Sequence, residues 1–372
     1  MNLHIEQITE EPTNITIMNW VKKLGYYQLN KLKEKADDWI IIPDHSIQLG
    51  PEKLFVVLGI RESNIDFGRP LQYQDLTPLL LTSKIKWTGK IIQPIIEELE
   101  NKLGKIKYAV GDYGSDIRKG LELAEINHVH DITHHIGNII GKLYGKDLSF
   151  NYLTKRMSEM RVKLVQTESA SITPPKQRKK SRYLNIDAIS KWATKALRLA
   201  KDKSVCQRDN LVIENLLWIR KHELFIKELA NINEVILEIE KILKHNGISK
   251  ATIKSCNKVL DNLSSQKGEI LKSKVKEYFK SIQKLLPKTK TILCSSDIIE
   301  STFGKYKNYV SSNPMACLTN LSLSIAAFTS GLEKNEIKLA LENVKIKDIE
   351  NWTKVNIGQS MLKKRRALLS NC

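Results

Sequence analysis

The run Trp39-Ile40-Ile41-Ile42-Pro43 stays uncharged for the length of a strand and stops at Asp44. A short apolar run without polar alternation reads as a strand covered on both faces, which calls for a sheet buried between helices. A second run, Ile106-Lys107-Tyr108-Ala109-Val110-Gly111, stops at Asp112 in the same way. Between and around these runs the chain alternates strand and helix signals. Trp39–Leu49 and Lys53–Arg61 are separated by Gly50-Pro51, a hairpin signature. Leu76–Leu81 reads as a third strand, and Pro78 within it argues for an edge position. Trp87–Leu103 has helical spacing and ends at Gly104. After the strand at 105–111, Ser115–Ile126 is helical, Val129–Ile132 is a brief strand, and His134–Tyr144 is helical again.

The order β-β-β-α-β-α-β-α predicts an α/β fold, an RNase H-like mixed sheet with helices on both faces. Asp44 then lies on the first, central strand, and Asp112 at the end of the fourth, its neighbour. Residues 39–150 form the first part of this core. The segment 151–290 interrupts it with helical patterns at Asp187–Ala200, Asn210–Ala230, Ile232–His245, Lys250–Leu263 and Lys272–Leu286. The core resumes over 291–335 with a helix at Ser296–Val310 and a buried helix at Pro314–Gly331, and 336–372 is a basic C-terminal tail. Residues 1–38 form a helical segment. Within it Ile17, Trp20, Val21 and Leu24 share one face, as in the recognition half of a helix-turn-helix or in an amphipathic helix docked on the core.

Charge separates the insertion from the rest. The 372-residue chain has a formal net charge of +19. Residues 151–290 hold 31 Lys and Arg against 14 Asp and Glu, a net of +17, and the remainder holds 29 against 27. A uniformly lysine-rich chain would spread this excess evenly, so the count points to a polyanion partner for one region. The exposed loop Lys176-Gln177-Arg178-Lys179-Lys180-Ser181-Arg182 carries its densest charge, and the run Lys363-Lys364-Arg365-Arg366 can also meet phosphates. Trp192 and Trp218 sit at helical spacing in this region, where packing is the ordinary role and stacking on a base the rarer one.

Composition removes other classes. Hydrophobic residues make up 41%, enough for a globular core. Five cysteines without a CxxC pair suggest neither a zinc site nor a disulfide framework, and a cytoplasmic home is the simplest. No stretch nears the ~20 apolar residues that cross a bilayer. No P-loop glycine pattern calls for a nucleotide.

Asp44, Asp112 and Glu300 are the candidate ligands of two divalent ions, Mg2+ or Mn2+. Two aspartates at neighbouring strand ends and a glutamate on a late helix can converge on such a pair, which activates water or a 3′-hydroxyl against a phosphodiester. Each has a rival. Asp116 could be the ligand while Asp112 caps the next helix. Asp297 competes with Glu300, because Asp297 at the N-cap with Glu300 at N3 is a capping box. Gly304 and Lys307 fall on the same helix face as Glu300, at i+4 and i+7, where a glycine admits a nucleic-acid backbone and a lysine meets a phosphate. Lys305 adds another cation on that helix.

These residues resemble those of bacterial insertion-sequence transposases of the DDE class, which have an RNase H-like core and a helical insertion before the last acid. Glu300 with Lys307 is similar to the end of their tyrosine-arginine-glutamate-lysine signature, although Leu293 and Ser296 stand where the tyrosine and arginine are expected. Asp131-Ile132-Thr133-His134 resembles the Cys/Asp-x-x-His motif that follows the second catalytic aspartate in several transposase superfamilies. The resemblance implies double-stranded DNA partners (terminal inverted repeats and target), a homodimer, and cleavage followed by strand transfer. It places Asp131 and His134 beside the metals or the DNA, and the insertion on transposon ends. A nuclease or resolvase of the same fold, or an inactive DNA-binding derivative, are the alternatives. His128, His130, His134 and His135 cluster near this motif, more in keeping with a supporting role than with zinc.

Overall fold

The computed structural model describes residues 11–49, 52–176, 185–202, 215–310, 318–331 and 333–358. The chain forms two compact units, one of residues 1–129 and 296–372 and the other of His130–Ser295.

The first unit is built on a five-stranded sheet. Its strands are β1 (Ala36–Leu49), β2 (Glu52–Arg61), β3 (Thr77–Lys84), β4 (Gly104–Gly111) and β5 (His128–His130), in the order β3-β2-β1-β4-β5. β1–β2 and β2–β3 are antiparallel, and β1–β4 is parallel. This mixed order, with helices packed on the sheet, is that of an RNase H-like core. All five expected strands form. β3 takes the edge that Pro78 demanded, because proline cannot donate to a second neighbour.

Ile40, Ile41 and Ile42 are fully buried, as a central strand requires. Side chains alternate between faces. Trp39, Ile41, Phe55, Val57 and Ala109 share a core cluster with Ile92, Ile96 and Leu99 of α2 (Gly89–Leu103) and Ile117 and Leu121 of α3 (Ser115–Leu123). Ile40, Ile42 and Asp44 therefore face away from α2.

Before the sheet, α1 (Asn14–Asn30) is capped by Thr13, whose hydroxyl accepts from the Thr16 backbone N–H. Its Gly25 lies so close to the Leu323 carbonyl that a Cβ would stand 1.9 Å away, so only glycine lets the helices meet there. After the second unit the chain returns as α10 (Asp297–Val310), α11 (Leu323–Phe328), α12 (Lys334–Asn343) and α13 (Ile346–Asn356). A long buried helix was expected over 314–331. The described part is a 3-10 turn at Asn320–Ser322 followed by the short α11. The region after 335, read from sequence as a basic tail, contains two helices.

Helices dominate the second unit: α4 (Ile132–Tyr144), α5 (Leu148–Leu164), α6 (Ile186–Lys201), α7 (Glu223–Asn246), α8 (Lys250–Leu260) and α9 (Gln266–Leu285). Met160, Ala193, Leu197, Ile219 and Ile226 form one of its cores. α5 has no counterpart in the sequence reading. Exposed Leu148, Tyr152, Val162 and Val165 blur its apolar period, and its clearest signal is the cap, where Asp147 accepts from the Phe150 backbone N–H at 2.8 Å. α7 runs unbroken where two helices were expected, with Asn233 donating to Asp187 at 3.2 Å. Trp192 packs against the core and donates to the Ile172 carbonyl at 3.0 Å. Trp218 packs there too, with the Arg156 guanidinium 5.4 Å from its ring centre. Among the described residues no helix is long and apolar enough to cross a membrane.

Candidate active site

Past a bulge at Trp39/Ile40, β1 and β4 pair in parallel with Ile40 opposite Tyr108 and Ile41 opposite Ala109, an offset of 68. Asp44 and Asp112 are also 68 residues apart. Each lies three residues beyond the Ile41–Ala109 pair, Asp44 within β1 and Asp112 just past the end of β4. The pairing of β1 with β2 is irregular between Asp44 and Ile47, so the strand is bulged just past the acid. Bulges of this kind re-aim side chains beside functional sites.

Asp44 is largely buried, and its Oδ1 accepts from the His45 backbone N–H at 2.6 Å. Its pKa is pushed up to about 6, first by burial, then by the negative charge of Asp112, with a further push from Glu300. The His45 amide and charge oppose the rise. Asp112 and Glu300 thus both stand within electrostatic reach of Asp44.

The rivals to Asp112 and Glu300 have other roles. Asp116 stands 2.7 Å from His45 Nε2. Burial alone would raise its pKa, but the hydrogen bond and charge of His45 bring it below the ordinary carboxylate range. Asp112 does not cap α3, since its Oδ1 accepts from Gly114 N–H at 2.8 Å and the cap position is Gly114 itself. Asp297 is the first residue within α10, which puts Glu300 one place beyond the N3 position that a capping box uses.

Ile299, Phe303 and Tyr306 bury one side of α10, which packs against β1 and leaves Glu300 half-exposed. The sequence reading missed two neighbours. The Tyr73 hydroxyl hydrogen-bonds Ser301 at 2.6 Å, and the Lys305 ammonium sits 3.6 Å from the Tyr73 ring centre. Tyr73 thus grips the helix one residue from Glu300 and occupies a lysine expected to face DNA. His45, next to Asp44, could have been found by adjacency alone, whereas nothing in the sequence marked Tyr73. Lys307 and Gly304 are exposed on α10, and a Cβ at Gly304 would meet nothing within 4 Å. Packing within the chain does not call for a glycine there.

Asp131 and His134 belong to the second unit. Asp131 is fully buried and caps α4, accepting from His134 N–H at 2.8 Å. Within the same unit, the His135 ring stacks on Tyr278 at 4.6 Å. Lys176 is exposed. Arg178, Lys179, Lys180 and Arg182 lie outside the described residues.

No family model and no curated protein matches the chain. Among solved structures it is similar to the Drosophila P element transposase strand transfer complex, at 10% identity over 88% of this chain and 86% of that chain, with a TM-score of 0.43.

As a donor set, three carboxylates of which one is partly buried and raised in pKa by the charge of the other two fit a hard divalent cation. Among the described residues, however, no three His, Cys, Asp or Glu side chains are grouped closely enough to hold a metal ion as they stand.

The raised pKa of Asp44 has a measurable sign. The folded state binds its proton more tightly than the unfolded chain, so stability falls as pH rises from about 4 to about 6. Asp44→Asn removes this cost. The variant should melt above wild type at pH 7 without divalent metal, by at most about 3 kcal/mol, and match it below pH 4. Paired melting curves across that range check both halves.

Proposed function

We propose that this chain is a DNA transposase that cuts transposon ends and joins the freed 3′-hydroxyl to target DNA, with Asp44, Asp112 and Glu300 as its catalytic acids. The observation that carries the proposal is the coupling of these three carboxylates. Two lie three residues past the last pair of two parallel strands, and the third acts on Asp44 from a late helix. Bound there, Mg2+ or Mn2+, as a pair of ions, would activate water or a 3′-hydroxyl and neutralise charge building on the phosphate. In this reading Asp44 and Asp112 anchor the ligand set on rigid sheet, where a strand end is held more firmly than a loop. Glu300 completes the set from α10, whose position depends on its buried Ile299–Phe303–Tyr306 side and on the Tyr73–Ser301 hydrogen bond. The proton that burial favours on Asp44 must leave for it to act as a ligand, so ion binding and deprotonation are coupled.

DNA approaches along the exposed side of α10. Gly304 leaves room for a backbone, and Lys307 offers a charge to a phosphate. The basic insertion, including Lys176 and the cationic loop after it, supplies sequence-independent affinity for double-stranded DNA, both transposon ends and target. Pairing of two ends calls for a homodimer.

The test uses DNA from either side of the gene, where the terminal repeats lie. Wild type should nick it in Mg2+ and join the ends to a plasmid. Asp44→Asn, Asp112→Asn and Glu300→Gln should each reduce both steps by about a thousandfold or more while DNA binding persists. Nicking without joining would leave a nuclease, and full activity in all three variants would refute the assignment.

Gly304→Ala separates helix from DNA effects. Alanine favours helix by about 1 kcal/mol, so the variant should melt higher. If a backbone passes there, it should also bind DNA and cut more weakly. A gain in stability with unchanged cleavage would remove Gly304 from the interface.

A further inference from the structure

The outer edge of β3 lies at the end of the sheet, and no described strand pairs with it. Along it runs a groove of about 1170 Å³, walled by Leu79–Lys84 of β3, by α2, by the end of α1 with the residues after it, and by α13. All of these belong to the first unit. Three features of the groove ask for different things from an occupant.

Six lysines line it, against one carboxylate, Glu98. Glu98 is held by Lys102 at 2.6 Å, and Lys31 is held by Glu336. Lys35, Lys84 and Lys90 are exposed and pair with no carboxylate among the described residues. Lys33 donates to the Gln28, Leu29 and Lys31 carbonyls at the end of α1. Burial, and then the charge of Lys31, hold its pKa down to about 8 against the pull of Glu336. Positive charge is thus crowded at this end, where Glu336 is paired with Lys31, and the exposed Lys35, Lys84 and Lys90 are left to other partners. At the same time Leu32 is 99% and Val355 84% exposed at the groove, apolar surface with nothing over it. The third feature is the strand edge, which no described strand covers and which beyond Thr82 and Ser83, whose hydroxyls donate to the Asn356 and Ile357 carbonyls, can take another backbone.

A nucleic acid would satisfy the lysines but not Leu32, Val355 or the strand edge. A second copy of a chain with net charge +19 brings the wrong charge. An extended peptide that alternates acidic and apolar residues satisfies all three, by pairing with the edge and presenting carboxylates to the lysines.

We infer that this groove docks an extended acidic segment of a partner protein as a sixth strand beside β3. The inference is independent of the catalytic reading, since none of these residues belongs to the acid site.

The test measures binding of full-length protein to a labelled peptide as long as β3, alternating glutamate with valine, at physiological salt. Controls are the same composition with glutamates and valines in separate blocks, and the alternating peptide N-methylated at every second amide. The alternating peptide should bind best, and N-methylation should abolish binding. The Lys84→Glu/Lys90→Glu variant should bind about tenfold more weakly or worse, with its fold checked by circular dichroism. Should that variant not fold, Lys84→Gln/Lys90→Gln carries the same expectation with a smaller loss. Equal binding of blocked and N-methylated peptides would reduce the groove to bare charge and overturn the proposal. So would absence of peptide binding. Duplex or single-stranded DNA that displaces the peptide, and itself loses affinity in the lysine variants, would make the groove a nucleic-acid track instead.

Discussion

The parallel pairing of β1 with β4 is the constraint on which the rest of the site depends. An offset of 68 in the pairing matches the 68 residues between Asp44 and Asp112, so the ladder leads both acids toward the same end of the strand pair. A slip of one residue would send one acid to the α2 face, where Trp39, Ile41 and Phe55 form the core.

Holding these acids together works against stability. Burial and like charge both raise the pKa of Asp44, and a fold selected for packing alone would place an apolar residue or a cation there. Local rules tend to be broken where function requires it. The surroundings limit the cost: the His45 amide holds Asp44, Gly114 N–H holds Asp112, and His45 takes Asp116 as its own partner. Tyr73 adds a tether on α10 from a loop braced by the bidentate contact of Arg69 with Asp75.

Much of this was legible in the sequence, for reasons that differ between elements. The strands announced themselves through continuous apolar runs, and Pro78 located an edge. Asp44 and Asp112 could be named because each follows such a run, and strand ends are where a sheet presents side chains together. Glu300 was harder, since a capping box explained its spacing equally well, and what counts against that rival is that α10 starts at Asp297 itself. Tyr73 was invisible, because its contact with Ser301 spans 228 residues and no local pattern encodes it. α5 was lost to exposed apolar residues that disturb its period, and α12 and α13 to a lysine-rich composition read as a tail. In each of these cases tertiary contacts decide what local pattern leaves open.

The central claim is that Asp44, Asp112 and Glu300 form one electrostatic unit, and carboxylate NMR titration tests it directly. In metal-free protein labelled at its aspartates and glutamates, Asp44 should titrate near pH 6. Asp112→Asn should lower that value clearly and Glu300→Gln less so, because each removes a negative charge facing Asp44. Saturating Mg2+ should drive it lower still. An Asp44 that titrates near 4, or whose pKa is unmoved by either substitution, would contradict the account.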